Sequence, residues 1–391
     1  MKKALFLFTV FILFCYVSVP AFSQNKSKNK KPKALIDISN FFDSSHHWYD
    51  ITDEDKEILP AKDQKRYVAS QIKEIADNIV LFQRDNGGWA KNYDMLAVLT
   101  PAQRDIVLKS KTETHTTFDN GTTHSQIQYL AKANAIAPDP EYVKSCLMGL
   151  DYILLSQYSN GGWPQFFPDT DGYAKEITFN DGAMIGIMEI LRDIVYKKPV
   201  YHFVDAARRQ KIKTAFEKGL DCILKCQISD DGVLNAWCQQ YDNLTLKPAK
   251  ARTFEPACIC NGESSDIVLF LMSLHNPSPA VVRSIEAAVA WFEKSKILNT
   301  RIDTIPYPET VYKYRTSKID RVVVHEPNAK PIWTRYYELG THRSIFSGRD
   351  SKIVYSMAEV EHERRSGYRW YVYEPQKVLN KYSEWKKALS N

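Results

Sequence analysis

Two aspartates and a group of arginines are the residues through which this chain could do chemistry. Asp181 closes Thr-Phe-Asn-Asp (178–181), and Asp242 closes Trp-Cys-Gln-Gln-Tyr-Asp (237–242). Taken singly, the first reads as a carboxylate capping a helix N-terminus and the second as a turn residue. Brought together from separate loops, they would repel unless a proton or a cation lay between them. Ca²⁺ is the hard cation that favours such oxygen ligands. No EF-hand loop is present, so spacing alone does not specify it. From Arg301 onward there are 17 Lys and Arg against 11 Asp and Glu, and nine of those cations are arginine. Guanidinium forks grip carboxylates and phosphates bidentately, whereas the bland alternative is a solvated basic face. Joined to loop carboxylates and aromatic rings, the arginines suit an acidic sugar polymer.

A repeat must position these residues. Trp89, Trp163 and Trp237 lie 74 residues apart. They end the similar stretches Gln-Arg-Asp-Asn-Gly-Gly-Trp (83–89), Gln-Tyr-Ser-Asn-Gly-Gly-Trp (157–163) and Gln-Ile-Ser-Asp-Asp-Gly-Val-Leu-Asn-Ala-Trp (227–237). So long a period means one supersecondary unit used three times. One-sided apolar stripes at helical spacing predict outer helices over 64–82, 141–155, 206–226 and 281–294; the first carries Val68, Ile72, Ile75, Ile79 and Phe82. Inner helices are expected to open at the turns 117–121, 178–182 and 260–264.

The expected fold class is mainly α: an (α/α)3 toroid of three helical hairpins with long loops. A mostly irregular C-terminal segment should cover the active-site end. Alternating helices run antiparallel, so the outer-to-inner loops and the inner-helix N-termini share one end, where unpaired N–H groups favour anions. Asn120, Asp181 and Glu263 should be neighbours there. Trp89 reads as a structural plug, while Trp163 and Trp237 could be plugs or platforms for sugar rings.

The chain opens Met1-Lys2-Lys3, runs apolar from Ala4 to Val19 and reaches the small-x-small site Ala21-Phe22-Ser23. This predicts a secretory signal peptide over 1–23, a basic polar linker over 24–45 and a catalytic domain over 46–391. The expected product is a secreted monomer, periplasmic or extracellular, with no membrane span. The later cysteines, at 146, 222, 226, 238, 258 and 260, form no C-x-x-C pair and read mainly as buried small hydrophobes, their disulfide pairing left open. With a net charge of +6 in that compartment, an acidic extracellular polymer is a more natural partner than nucleic acid.

Several ordered segments resemble the pectate lyases of polysaccharide lyase family ten. They are Phe-Asp-Asn-Gly-Thr-Thr (118–123), Asn-Gly-Gly-Trp-Pro-Gln-Phe-Phe-Pro (160–168), Ile-Thr-Phe-Asn-Asp-Gly-Ala-Met (177–184), Ala-Trp-Cys-Gln-Gln-Tyr-Asp (236–242), Pro-Ile-Trp-Thr-Arg-Tyr-Tyr-Glu-Leu (331–339) and Ile-Phe-Ser-Gly-Arg-Asp (345–350). The resemblance implies Ca²⁺-dependent anti β-elimination on α-1,4-linked polygalacturonate (pectin), giving unsaturated oligogalacturonides. On it, Asp181 and Asp242 match metal-site carboxylates, and Arg335 and Arg349 match arginines of the substrate-binding surface. Asn180, Gln240, Trp163 and Trp237 complete the expected substrate contacts. Gly182 stands where some relatives carry Asn, which would remove one substrate hydrogen bond.

The family's base is an arginine; Arg315 is the first choice here and Arg335 the second. A guanidinium can accept a proton only where its neutral form is favoured, which implies an alkaline optimum. A Gln…Gly-Gly-Trp repeat is also similar to terpene cyclases, but their Asp-x-Asp-Asp motif is absent. A non-catalytic pectin-binding protein would keep the carboxylates and arginines and need no base.

Overall fold

Helix pairs joined by tryptophan loops make up most of the structure, a computed structural model that describes residues 35–51, 56 and 58–389. The expected signal peptide, and the linker up to residue 34, lie outside the described residues. The helices are α1 (Phe42–Asp50), α2 (Ile72–Phe82), α3 (Pro101–Lys109), α4 (His124–Ile136), α5 (Pro140–Ser156), α6 (Ala183–Val195), α7 (Ala206–Cys226), α8 (Asn261–Met272), α9 (Pro279–Lys294), α10 (His362–Gly367) and α11 (Glu374–Leu389). With little sheet among the described residues, the fold is mainly α. Three packed pairs recur in sequence, α4 with α5, α6 with α7 and α8 with α9. The inner helices α4, α6 and α8 pack in series, and the outer helices α2, α5, α7 and α9 do likewise.

Two side-chain hydrogen bonds build each copy. Gln83 Nε2 donates to Gly87 O within its own turn (2.8 Å) and to Ser145 O on α5 (2.9 Å). Gln157 does the same with Gly161 O (3.0 Å) and Ala215 O on α7 (2.9 Å), and Gln227 with Asn235 O (2.9 Å) and Ser284 O on α9 (3.0 Å). Each glutamine therefore ties its turn to the next outer helix. The indole N–H of Trp89, Trp163 and Trp237 turns back to its own outer helix, meeting the carbonyls of Ile79, Ile153 and Ile223 at 2.8 Å. Gly87 and Gly161 adopt φ of 93° and 95°, and a Cβ on either would collide with the carbonyl of Met148 or Lys218. Only glycine fits there.

All three indoles are buried. Trp163 and Trp237 are plugs, as Trp89 is, and the expectation that they stack on substrate is corrected. A ring enclosed on both faces with its N–H satisfied has nothing to offer a sugar.

Trp333 is a fourth plug, its indole donating to Phe292 O on α9 at 2.8 Å. It comes from the C-terminal segment, after a long antiparallel hairpin, Thr300–Val311 paired with Thr316–His325. That segment is less irregular than expected. It adds this hairpin, three strands of a four-stranded sheet whose fourth is Ile259–Cys260, α10 and α11, and it builds a second core in which Tyr336, Phe346 and Trp370 join Phe254.

Two further expectations shift. α2 begins at Ile72, because Gln71 Oε1 accepts from Val68 N (3.0 Å) and ends the preceding extended stretch; Val68 is exposed. The packed unit begins at Leu35, ahead of the boundary at 46, since Ile36 and Phe41 are buried in the main core. Among the described residues the cysteines are buried and free. Among the described residues no helix is long and apolar enough to cross a membrane.

Candidate active site

The tryptophan loops set the site residues in register. Trp89, Trp163 and Trp237 accept, at their backbone carbonyls, the N–H of Thr117, Thr178 and Cys260 (3.0, 3.1 and 2.7 Å). Two residues after a tryptophan, a second carbonyl accepts from a turn that opens an inner helix: Gln165 O from Phe118 N (3.0 Å), Gln239 O from Phe179 N (2.8 Å) and Arg335 O from Asn261 N (2.9 Å). Lys91, Gln165 and Arg335 each hold that position, and all three line a cavity of about 910 Å³. In the third copy the next residue, Gln240, faces the cavity instead.

Two turns supply the carboxylates. They are Asp119–Gly121 and Asn180–Gly182, whose middle residues Asn120 and Asp181 have φ of 51° and 48°. Asn and Asp tolerate this left-handed conformation better than other residues with a side chain. Asp119 Oδ2 accepts from Lys91 Nζ (3.2 Å), while Asp119 Oδ1 is buried without a donor. Asp181 opens onto the cavity's water yet sits deep among surrounding atoms. Its pKa is pushed up to about 7, first by burial and then by the charge of Asp119, against the pull of Arg335 and Arg252. Burial presses Asp119 upward too, but Lys91, Gln165 and Arg252 together outweigh it and hold Asp119 below the usual carboxylate range. The pair therefore divides into an anion, Asp119, and a carboxyl that takes up a proton near neutrality.

Asp242 is not part of this pair. It is absent from the cavity wall, and its Oδ1 accepts from Leu244 N (3.1 Å), Thr245 N (2.7 Å) and Thr245 Oγ1 (2.8 Å). The backbone N–H of Thr245 lowers its pKa, and its Oδ1 is already taken by its own turn.

The residues beside Asp181 nonetheless fit a hard cation. Asp119 Oδ1, Gln165 Oε1 and Gln240 Oε1 all lack a hydrogen-bond donor, and all belong to side chains of the cavity wall. Acceptor oxygens left unpaired in one place are the donor set that Ca²⁺ prefers. Amides supply two of these three oxygens, and among the described residues no three His, Cys, Asp or Glu side chains gather as a metal group.

The arginines divide by partner. Arg335 Nη2 donates to Glu263 Oε1 (2.7 Å) and to Asn180 Oδ1 (3.2 Å), and its guanidinium lies 4.8 Å from the Tyr368 ring centre. Burial works against its charge, but Glu263 holds it well above the usual arginine range. Its Nη2 is thus committed to two acceptors of the protein. Asn180 is engaged on both sides, since its Nδ2 donates to Asp181 Oδ2 at 2.5 Å.

Arg252 Nε donates to Glu255 Oε2 (2.8 Å), its Nη2 also bonds Glu255, and 42% of the side chain is open to the cavity. Arg349 makes a bidentate pair with Glu363 (2.8 and 2.7 Å) and stacks 4.1 Å from the Tyr314 ring centre. Arg315 lines the cavity at the hairpin tip, but the cations acting most strongly on Asp181 are Arg335 and Arg252.

With this geometry in view, the comparisons with known proteins are decisive. The sequence profile described as pectic acid lyase matches residues 83–379. The chain belongs to the pectic acid lyase family. Two solved structures of a family 10 polysaccharide lyase from Cellvibrio cellulosa, one a mutant in complex with trigalacturonic acid, are similar to it at 28% identity and a TM-score of 0.68. Each comparison covers 80% of this chain and 92% of the other. Comparison with curated proteins returns no match. This polysaccharide lyase has site residues that its sequence hid: Asp119, Lys91, Arg252, Glu255, Arg364 and Tyr368. A signal for Asp119 existed in the turn repeat, where 118–121 reads Phe-Asp-Asn-Gly against Phe-Asn-Asp-Gly at 179–182.

Proposed function

We propose that the chain is a calcium-dependent pectate lyase that cleaves α-1,4-linked polygalacturonate by anti β-elimination. In this reading its helix pairs form an (α/α)3 toroid with the cavity at the loop end. The observation that carries it is the meeting of two aspartates, donor-less amide oxygens and clustered arginines in one cavity. The trigalacturonic acid bound to the similar lyase supports polygalacturonate as the substrate.

Asp119, Asp181, Gln165 and Gln240 would hold the cation. When bound, Ca²⁺ would neutralise a galacturonate carboxylate and so acidify the C5–H beside it. Arg335, kept cationic by Glu263, donates to that carboxylate and stabilises the charge that develops as the proton leaves. We assign the proton acceptor to Arg252, because it acts on both Asp119 and Asp181 and its Nη1 makes no hydrogen bond among the described residues. As Nη1 of the neutral guanidine takes the C5 proton, the C5–H electron pair forms the C4–C5 double bond, the C4–O bond breaks, and the departing glycosidic oxygen takes a proton from solvent water. Glu255 holds Arg252 well above the usual arginine range against the pressure of burial, so its neutral form is a small fraction that grows with pH. Turnover is therefore expected to rise into the alkaline range.

Residues 1–23 are proposed as a cleaved secretion signal and the mature protein as a monomer, readable from the mass of the exported product. The test of function is ultraviolet absorbance from the new double bond during incubation with polygalacturonate and Ca²⁺. New reducing ends without that absorbance would mean hydrolysis and would overturn the lyase reading.

A further inference from the structure

One wall of the cavity holds more guanidinium than its carboxylates can neutralise. Arg349 and Arg364 share Glu363, with Arg364 Nη2 at 3.1 Å from the oxygen that Arg349 Nη2 also contacts. Arg364 is 8% exposed, lines the cavity, and its Nε has no hydrogen-bond partner. Arg315 stands above it at the tip of the hairpin formed by 300–311 and 316–325. Among the described residues its guanidinium makes no hydrogen bond or ion pair, and its charge bears on Arg364 and Arg321. Gly367 leaves the room for it, since a Cβ on Gly367 would collide with Arg315 Nη1. A free guanidinium beside a buried one with an unsatisfied donor is an anion site awaiting its anion.

We propose that Arg315 and Arg364 form a carboxylate subsite for a uronate unit beyond the one being cleaved. The proposal rests on the reading that the cavity takes polygalacturonate. That polymer carries one carboxylate per sugar, so a chain anchored at Asp181 and Arg335 necessarily presents further carboxylates along the cavity. Arg315 thereby becomes a reader of chain length, not the base expected from sequence.

The experiment is titration calorimetry with trigalacturonate, hexagalacturonate and methyl-esterified hexagalacturonate, run with a chelator so that no cleavage intervenes. The wild-type protein should bind hexagalacturonate more tightly than either of the others. Arg315→Ala should lose most of that gain, about tenfold in affinity for a charge-assisted pair. Arg315→Lys should recover part of it. Gly367→Ala keeps the charge, displaces the guanidinium and should resemble Arg315→Ala. Equal weakening on the trimer and the hexamer, no length gain in the wild-type protein, or a gain that survives esterification would each overturn the proposal. Because binding is read without turnover, failure of the elimination assay would leave this result separately interpretable.

Discussion

Asp119 and Asp181 reach one cavity from successive turns, one residue out of phase, and only one of them carries a full charge near neutrality. Carboxyl groups whose environments separate their pKa values mark a place prepared for a proton or a cation.

Stability should report this. The folded pKa of Asp181 is raised to about 7 from an ordinary 3.8, so its contribution is fully present below about pH 4 and lost as pH rises through 7. Asp181→Asn should therefore stabilise the chelated protein at pH 8 and change little at pH 4. Cavity water screens the carboxylate, so we expect ~1 kcal/mol, about 1–2 °C in a calorimetric scan. Ca²⁺ should reverse the order at pH 8, stabilising the wild-type protein more than the variant.

Asp119→Ala and Asp181→Ala should abolish Ca²⁺-dependent elimination. Asp242→Ala should leave the Ca²⁺ concentration for half-maximal rate unchanged and cost about 0.5–1.5 kcal/mol of stability through its lost turn bonds. A shifted Ca²⁺ requirement in Asp242→Ala would return that residue to the metal site.

The arginines should separate by kinetics. Arg252→Lys should remove nearly all turnover while the polymer still binds, since proton transfer contributes only in the transition state. Arg335→Ala should weaken kcat/KM by about 1–3 kcal/mol and leave Glu263 without its partner. Comparable turnover in Arg252→Lys and wild type would move the base elsewhere.

Trp163→Phe should act on folding alone. The indole bond to Ile153 O at 2.8 Å is worth about 1 kcal/mol, visible as a lowered denaturation midpoint with KM unchanged. A raised KM at constant stability would restore the sugar-platform role.

Helix stripes and the three tryptophans are legible because helical period and a long repeat are local properties of sequence. Trp333 escapes the count since the hairpin 300–325 intervenes and breaks the spacing. Asp242 misleads for another reason. Whether a loop carboxylate faces a cavity or its own backbone depends on donors such as Thr245 N, which residue type does not reveal. The burial of Trp163 and Trp237 likewise follows from three-dimensional closure, and both functions use the same residue. Asp119 was available in the turn register, one position ahead of where its counterpart stands.

The glutamine ties all point forward along the chain. Gln83, Gln157 and Gln227 wait for carbonyls 62, 58 and 57 residues later, on a helix the ribosome has yet to deliver. Each turn thus emerges with a donor whose acceptor does not exist, and no pair of helices is finished until the next has been made. Vectorial synthesis leaves one unsatisfied amide moving toward the C-terminus, and α9 discharges the last of them. A chain that ends before Ser284 would leave Gln227 Nε2 without the carbonyl on α9 to which it donates.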